Sequence, residues 1–118
     1  MLLDWTEYRT KLLAAIAGIG RASPDTLRGY RALSDAGVAT GHLDAKTREL
    51  IALAVGVTRQ CDGCITTHTA AALKHGATRD ELVEALGVAI AVNAGAALVY
   101  SARAVDAFDA HSAAINHA

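Results

Sequence analysis

The residues best suited to chemistry in this chain lie in one octapeptide, Cys61-Asp62-Gly63-Cys64-Ile65-Thr66-Thr67-His68. It contains both cysteines of the 118-residue chain. In a helix, Cys64 and His68 lie one turn apart, and Cys61 falls on nearly the same line. Cysteines at the first turn of such a helix lie near unpaired N–H groups and the positive end of the helix dipole, both of which favour a thiolate. This pattern predicts redox chemistry at a pair of thiols.

Two other interpretations of the cysteine pair remain open from the residues alone. Free cysteines are among the most buried residue types, so both could be small core residues. The pair could also bind zinc. Cys61, Cys64 and His68 would then be three ligands, with Glu49 or His75 as the fourth. Structural zinc sites usually take ligands from separated segments. The sequence contains no second CxxC, and His111 and His117 lie in the tail and carry no signal, which disfavours zinc.

His68 and Glu49 are candidates for proton transfer. One turn from Cys64, His68 is placed to accept or relay the thiol proton. Glu49 lies in the opening turns of the preceding predicted helix, where an acidic residue is common for structural reasons. The connection at residues 57–60 is short, so the two helices are neighbours and Glu49 could lie against the cysteine helix as a base or relay. Periodicity does not decide between these interpretations of Glu49.

The elements that must position these groups are predicted to be helices. Hydrophobic residues make up 53 % of the chain but aromatic residues only 4 %, and there is one proline. This composition is typical of closely packed helices. We predict an all-α single domain over residues 1–118 with about six helices, near residues 4–19, 24–33, 44–57, 61–75, 78–93 and 96–110. A loop is expected at 37–41, a break at 93–95, and a frayed tail from His111.

Charge and hydropathy limit the partners that we expect. The formal net charge of −1 provides no basic stripe for nucleic acid. Residues 85–102 carry no charge and approach the length of a membrane span, but their small side chains and central Asn93 also suit packing within protein, so no membrane partner is expected. The N-terminus lacks the features of a secretory signal, which favours a cytoplasmic location. The helices predicted near 44–57 and 78–93 are apolar on nearly all faces, and one short chain would leave much of that surface exposed. We therefore predict a homo-oligomer, with residues 85–102 in its contacts.

A family resemblance follows from the motif and its flanks. Glu49, Cys61, Cys64 and His68 resemble the E…CxxCxxxH motif of the alkyl hydroperoxidase D-like (AhpD-like) branch of the carboxymuconolactone decarboxylase superfamily. The flanking segments at 43–51 and 74–82 are also similar to that family, and the resemblance extends over about 43–108. It implies an all-helical domain that assembles as trimers or hexamers.

The resemblance also implies a thiol peroxidase activity of the peroxiredoxin type. By this likeness, Cys64 attacks the hydroperoxide, Cys61 resolves the sulfenic acid as a disulfide, and His68 and Glu49 form the proton relay. A lipoyl-type or other dithiol carrier would return the electrons, and the chemistry needs no metal, haem or flavin cofactor. The best-studied members have a histidine where this chain has Gly63, so one possible proton carrier is missing.

Two alternative functions remain open at this point. A carboxymuconolactone decarboxylase-like enzyme would use His68 and Glu49 and would not need the cysteines. A non-enzymatic dithiol redox sensor would be oxidised stoichiometrically, without turnover.

Overall fold

The computed structural model describes residues 1–117. Within these residues the chain forms five α-helices and no strand: α1 (Trp5–Ala22), α2 (Pro24–Thr40), α3 (Ala45–Thr58), α4 (Asp62–Lys74) and α5 (Arg79–Asn116). The predicted all-α fold class is confirmed. The predicted number of six helices is wrong.

The sixth predicted helix is the second half of α5, which continues without interruption through residues 93–95. Glycine in a helix interior costs only about 1 kcal/mol relative to alanine and keeps its N–H group, so Gly95 does not end the helix. The Asn93 side-chain amide donates to the Ala89 carbonyl and to the Thr58 hydroxyl, each at 2.8 Å. It therefore anchors α5 on α3. The predicted fraying from His111 is also wrong, because the helix extends to Asn116.

The first two helices are also longer than predicted, because glycines inside them do not end the helix. α1 begins after Asp4, whose carboxylate accepts the Glu7 N–H at 3.0 Å, and continues past Gly18 and Gly20 to Ala22. α2 continues through the predicted loop at 37–41 and ends only at Gly41, which has a left-handed φ of 66°. Glycine adopts that conformation without a steric penalty, so it forms the C-cap.

The caps of the later helices agree with the sequence-based predictions. Asp44 caps α3 by accepting the Thr47 N–H at 2.7 Å. Gly76 follows the last residues of α4 with a φ of 87°. Thr78 and Glu81 form a reciprocal capping box at the start of α5. Because each cap is a contact within a few residues, local sequence fixes these helix ends.

α3 is the central helix and packs against both α4 and α5, while α1 packs against α2 and α4. The buried positions are small or aliphatic, and they lie where these helices cross: Leu53, Gly56, Thr66, Ala72 and Ala89. The sequence of α3 is apolar on all faces, which predicts burial on every side, but in the single chain Ile51 and Val55 remain about half exposed.

The chain by itself is extended and leaves much apolar surface uncovered. Its radius of gyration is 20.3 Å, whereas a compact domain of this length has roughly 13.5 Å. Its accessible surface is 9065 Å², against roughly 6100 Å² for a compact monomer of the same mass. Much of the excess lies on the outer half of α5, where large apolar side chains are mainly exposed: Leu98, Val99, Tyr100, Val105 and Phe108.

By length and composition, α5 also meets the requirements for a membrane-spanning helix, and within residues 1–117 no other helix does. One such helix is weak support for a membrane protein, because small-residue helices of this kind also pack inside protein assemblies. The absence of a membrane partner stays a prediction.

Candidate active site

The turn between α3 and α4 sets the position of the first cysteine. Gln60 adopts a left-handed φ of 52°, where glycine is more usual. Its N–H donates to the Val57 carbonyl and the Cys61 N–H donates to the Gly56 carbonyl, both at 3.0 Å. This pair of hydrogen bonds is a Schellman motif. It ends α3 and brings the chain directly into α4 at Cys61.

Cys61 and Cys64 form a disulfide at the N-terminus of α4, with their Cα atoms 5.2 Å apart. Cys61 is the N-cap residue, and its sulfur accepts the Cys64 N–H at 3.1 Å. Both residues are partly buried. The predicted location of the pair at the first helical turn is confirmed, and there the helix dipole and a free N–H favour negative charge on sulfur once the disulfide is reduced.

His68 and Glu49 form a direct contact between α4 and α3. The His68 Nδ1 and Glu49 Oε2 atoms are 2.6 Å apart. The two side chains are 26 % and 23 % exposed. The structure therefore places Glu49 against the cysteine helix, which is the arrangement that periodicity left open. Hydrogen bonding to a carboxylate fixes the orientation of an imidazole ring.

The disulfide and His68 line one cavity of about 360 Å³. The opposite wall comes from the first two helices and consists of Tyr8, Leu12, Ile16 and Tyr30. None of these four residues was predicted to be part of the site. The sequence places three of them on the apolar side of α1, but it contains no local signal that this side faces the cysteines.

Two glycines let neighbouring helices approach the cysteine pair closely. A Cβ atom at Gly56 of α3 would lie 2.7 Å from the Cβ of Cys64. A Cβ atom at Gly63 would lie 2.8 Å from the Cδ2 of Leu12 on α1. A side chain at position 63 would therefore require the end of the Leu12 side chain to move.

A second cavity, of about 620 Å³, lies on the Glu49 side of the relay, between α2, α3 and α4. His68 and Tyr30 line both cavities, and Arg48 and His75 line only the second. His68 therefore lies between the disulfide on one side and a polar cavity on the other. This position suits a group that passes protons between sulfur and solvent.

The four predicted site residues do not form a metal-binding cluster. Over residues 1–117, no three His, Cys, Asp or Glu side chains converge closely enough to hold an ion. His75, the alternative fourth zinc ligand, is the C-cap residue at the opposite end of α4 from the cysteines. Cys61, Cys64 and His68 share the disulfide cavity, and Glu49 joins them through its bond to His68.

Comparison with known proteins identifies the family. The carboxymuconolactone decarboxylase family matches residues 24–107, and the chain belongs to this family. It is similar to a crystal structure of a carboxymuconolactone decarboxylase family protein from Legionella pneumophila, solved in an apo form. The TM-score is 0.72 and the sequence identity is 37 %, over 90 % of this chain and 95 % of that one. The family assignment implied by the sequence motif is thus confirmed at the level of the superfamily.

Three curated relatives cover most of the chain, and each is described as uncharacterised. A protein of Haemophilus influenzae is 45 % identical over 113 residues, and one of Cupriavidus necator is 34 % identical over 113 residues. Both alignments include 96 % of this chain and 100 % of the relative. An uncharacterised protein of the cox locus of Paracoccus denitrificans is 37 % identical over 99 residues, or 84 % of this chain and 89 % of the relative.

Proposed function

We propose that this protein is a thiol-dependent hydroperoxide reductase of the AhpD-like branch of its family. One observation carries the proposal. A disulfide at the N-terminus of α4 shares a cavity with His68, which is hydrogen-bonded to Glu49 one helix away. A cysteine pair able to form a disulfide, a proton relay and a cavity beside both are the parts that reduction of a peroxide requires.

In the first step the reduced Cys64 thiolate attacks one oxygen of the hydroperoxide. An S–O bond forms and the O–O bond breaks, so the sulfur is oxidised to a sulfenic acid and the peroxide is reduced to an alcohol. The leaving alkoxide needs a proton, and His68 supplies it from one turn away. Glu49 holds the imidazole in place through its 2.6 Å contact.

In the second step Cys61 attacks the sulfenic sulfur of Cys64. The S–S bond forms and the oxygen leaves as water. A dithiol donor then reduces this disulfide by thiol–disulfide exchange and is itself oxidised to a disulfide. The balance is one hydroperoxide and one dithiol consumed, with one alcohol, one water and one donor disulfide produced.

The positions of the two cysteines support this division of roles. The Cys61 sulfur accepts the Cys64 N–H at the N-cap, which holds it within reach of the Cys64 sulfur for attack on a sulfenic acid. Cys64 lies one turn from His68, so a proton donor lies beside the sulfur at which the O–O bond breaks. The nucleophile for peroxide is therefore the cysteine beside the proton donor.

We also propose that the chain acts as a single domain within a cytoplasmic homo-oligomer, a trimer or a hexamer. The support is the exposed area of 9065 Å² for one chain and the apolar outer half of α5. Contiguous apolar surface of this extent is typical of protein–protein interfaces.

The test is to add one equivalent of an organic hydroperoxide to the reduced protein and to measure intact mass and free thiols. The wild type should lose two thiols rapidly, and Cys61→Ser should accumulate a sulfenic acid on Cys64 that a dimedone probe captures. Cys64→Ser should react slowly and capture no probe. If both wild-type thiols survive the peroxide, the proposal is wrong, and lactone decarboxylation by His68 and Glu49 becomes the function to test.

A further inference from the structure

We infer that α1 determines the substrate specificity of this site, through an apolar wall made by Tyr8, Leu12 and Ile16. These residues select hydroperoxides that carry an uncharged apolar carbon group over hydrogen peroxide. The inference rests on the proposed function, because it concerns the substrate of the same disulfide.

The first support is the geometry of the wall. The three residues are spaced by four, so they form one stripe along α1, and all three are partly buried. They line the same cavity as the disulfide. Leu12 packs against the backbone between the two cysteines, since a Cβ at Gly63 would lie 2.8 Å from its Cδ2 atom.

The second support is that α1 is fixed on α4. The Thr66 hydroxyl donates to the Trp5 carbonyl at 3.2 Å, and Thr66 is only 5 % exposed. A buried hydrogen bond between the cysteine helix and the first turn of α1 holds the stripe in register with the disulfide. The wall is therefore pre-formed.

The third support is the chemistry of the lining. A cavity of about 360 Å³ lies within the range of small-molecule pockets. Its wall opposite the disulfide is aliphatic and aromatic, and the exposed Asp62 carboxylate lies among its lining residues. Apolar groups gain from burial against such a wall, whereas an anionic substrate would be repelled by Asp62. Hydrogen peroxide has no carbon group that could pack against the wall, so it gains no binding energy from it.

The neighbouring leucine offers a matched control. Leu13 has the same side chain and lies on the same helix, but it faces a different groove, together with Trp5 and Leu73. Truncation of Leu13 removes the same atoms from α1 without touching the disulfide cavity.

The experiment compares kcat/KM for cumene hydroperoxide and for hydrogen peroxide, with dithiothreitol as the reductant. Leu12→Ala should lower the value for cumene hydroperoxide about tenfold, mainly through KM, as expected for lost apolar contact in a pocket. Its value for hydrogen peroxide should stay within about twofold of the wild type, as should both values for Leu13→Ala. Ile16→Ala should also lower the ratio of kcat/KM for cumene hydroperoxide to that for hydrogen peroxide. This variant provides a second test if Leu12→Ala folds poorly.

A binding measurement separates this inference from the proposed function. The alcohol product, 2-phenyl-2-propanol, can be titrated into the oxidised protein and followed by NMR, without any peroxide. The amides of Leu12, Ile16 and Gly63 should shift, and the affinity should fall about tenfold in Leu12→Ala but not in Leu13→Ala. If the alcohol binds but the protein does not turn over peroxide, the proposed function is wrong, whereas binding of an apolar group at the α1 wall is supported. Equal losses for both peroxides in Leu12→Ala, or no shift at these amides, would overturn the inference.

Discussion

Replacement of Glu49 by glutamine tests the proton relay most selectively. Glutamine keeps the size of the side chain and removes its charge, so the packing of α3 against α4 is retained. The neutral amide can still contact the His68 ring, but its hydrogen bond is weaker than the one that the charged carboxylate makes. We expect slower reduction of the peroxide, with no effect on the formation of the folded protein.

The magnitude follows from the contact itself. A hydrogen bond to a charged partner contributes about 1.5–3 kcal/mol. Both side chains are about one quarter exposed, so solvent screens part of this contribution and the lower end applies. A loss of about 1.4 kcal/mol in the transition state corresponds to about a tenfold slower reaction.

The assay is a single turnover of reduced protein with cumene hydroperoxide, quenched with an alkylating reagent and analysed by intact mass. It isolates peroxide reduction from the donor step. Glu84→Gln is the control, because Glu84 is an exposed glutamate of α5 and does not line the cavity. A Glu49→Gln rate within twofold of the wild type would refute the relay.

Three further predictions concern stability and assembly. The 2.7 Å hydrogen bond between Lys46 and Glu81 is the main reason why the pKa of the Glu81 carboxyl is lowered and that of the Lys46 amine is raised. The stabilisation of the fold by ionised Glu81 is therefore fully present above the ordinary carboxyl pKa of 4.5, and it is lost as the pH falls through the lowered pKa. Lys46→Met removes this stabilisation, so its Tm should fall less on acidification than the Tm of the wild type, as measured by thermal melts. Thr78→Ala removes the N-cap of α5 and should cost about 1 kcal/mol in thermal or urea unfolding, whereas Thr78→Ser should not. Light scattering should give the wild type a mass that is a multiple of 12.2 kDa, and Val99→Asp, on the exposed face of α5, should lower that mass; a monomeric wild type would contradict the proposed assembly.

Helix ends were predictable where the determining contact is local. Asp44 and Thr78 each cap a helix through an N–H three residues away, so the sequence contains the whole interaction. The breaks predicted at glycines were wrong, because a helix that is packed or continuous on both sides tolerates the cost of about 1 kcal/mol. Gly37 and Gly95 both lie inside helices for this reason.

The candidate site was predictable only in part. Spacing placed Cys61, Cys64 and His68 along one helix, the short connection made Glu49 a candidate, and the motif resemblance gave Glu49 its role in the relay. The Glu49–His68 contact itself depends on the α3–α4 turn, in which Gln60 adopts a left-handed conformation that its residue type does not indicate. The α1 wall depends on packing between segments about sixty residues apart, such as the contact of Thr66 with Trp5. Local pattern carries no signal of such contacts.

The central claim is that the disulfide turns over, and one measurement tests it most directly. Reduced protein would be given an excess of cumene hydroperoxide and a dithiol, and the alcohol formed would be counted per protein chain. We expect many equivalents of alcohol in the wild type and none above background in Cys64→Ser. At most one equivalent of alcohol in the wild type, together with complete oxidation of both thiols, would contradict the account and indicate a redox sensor.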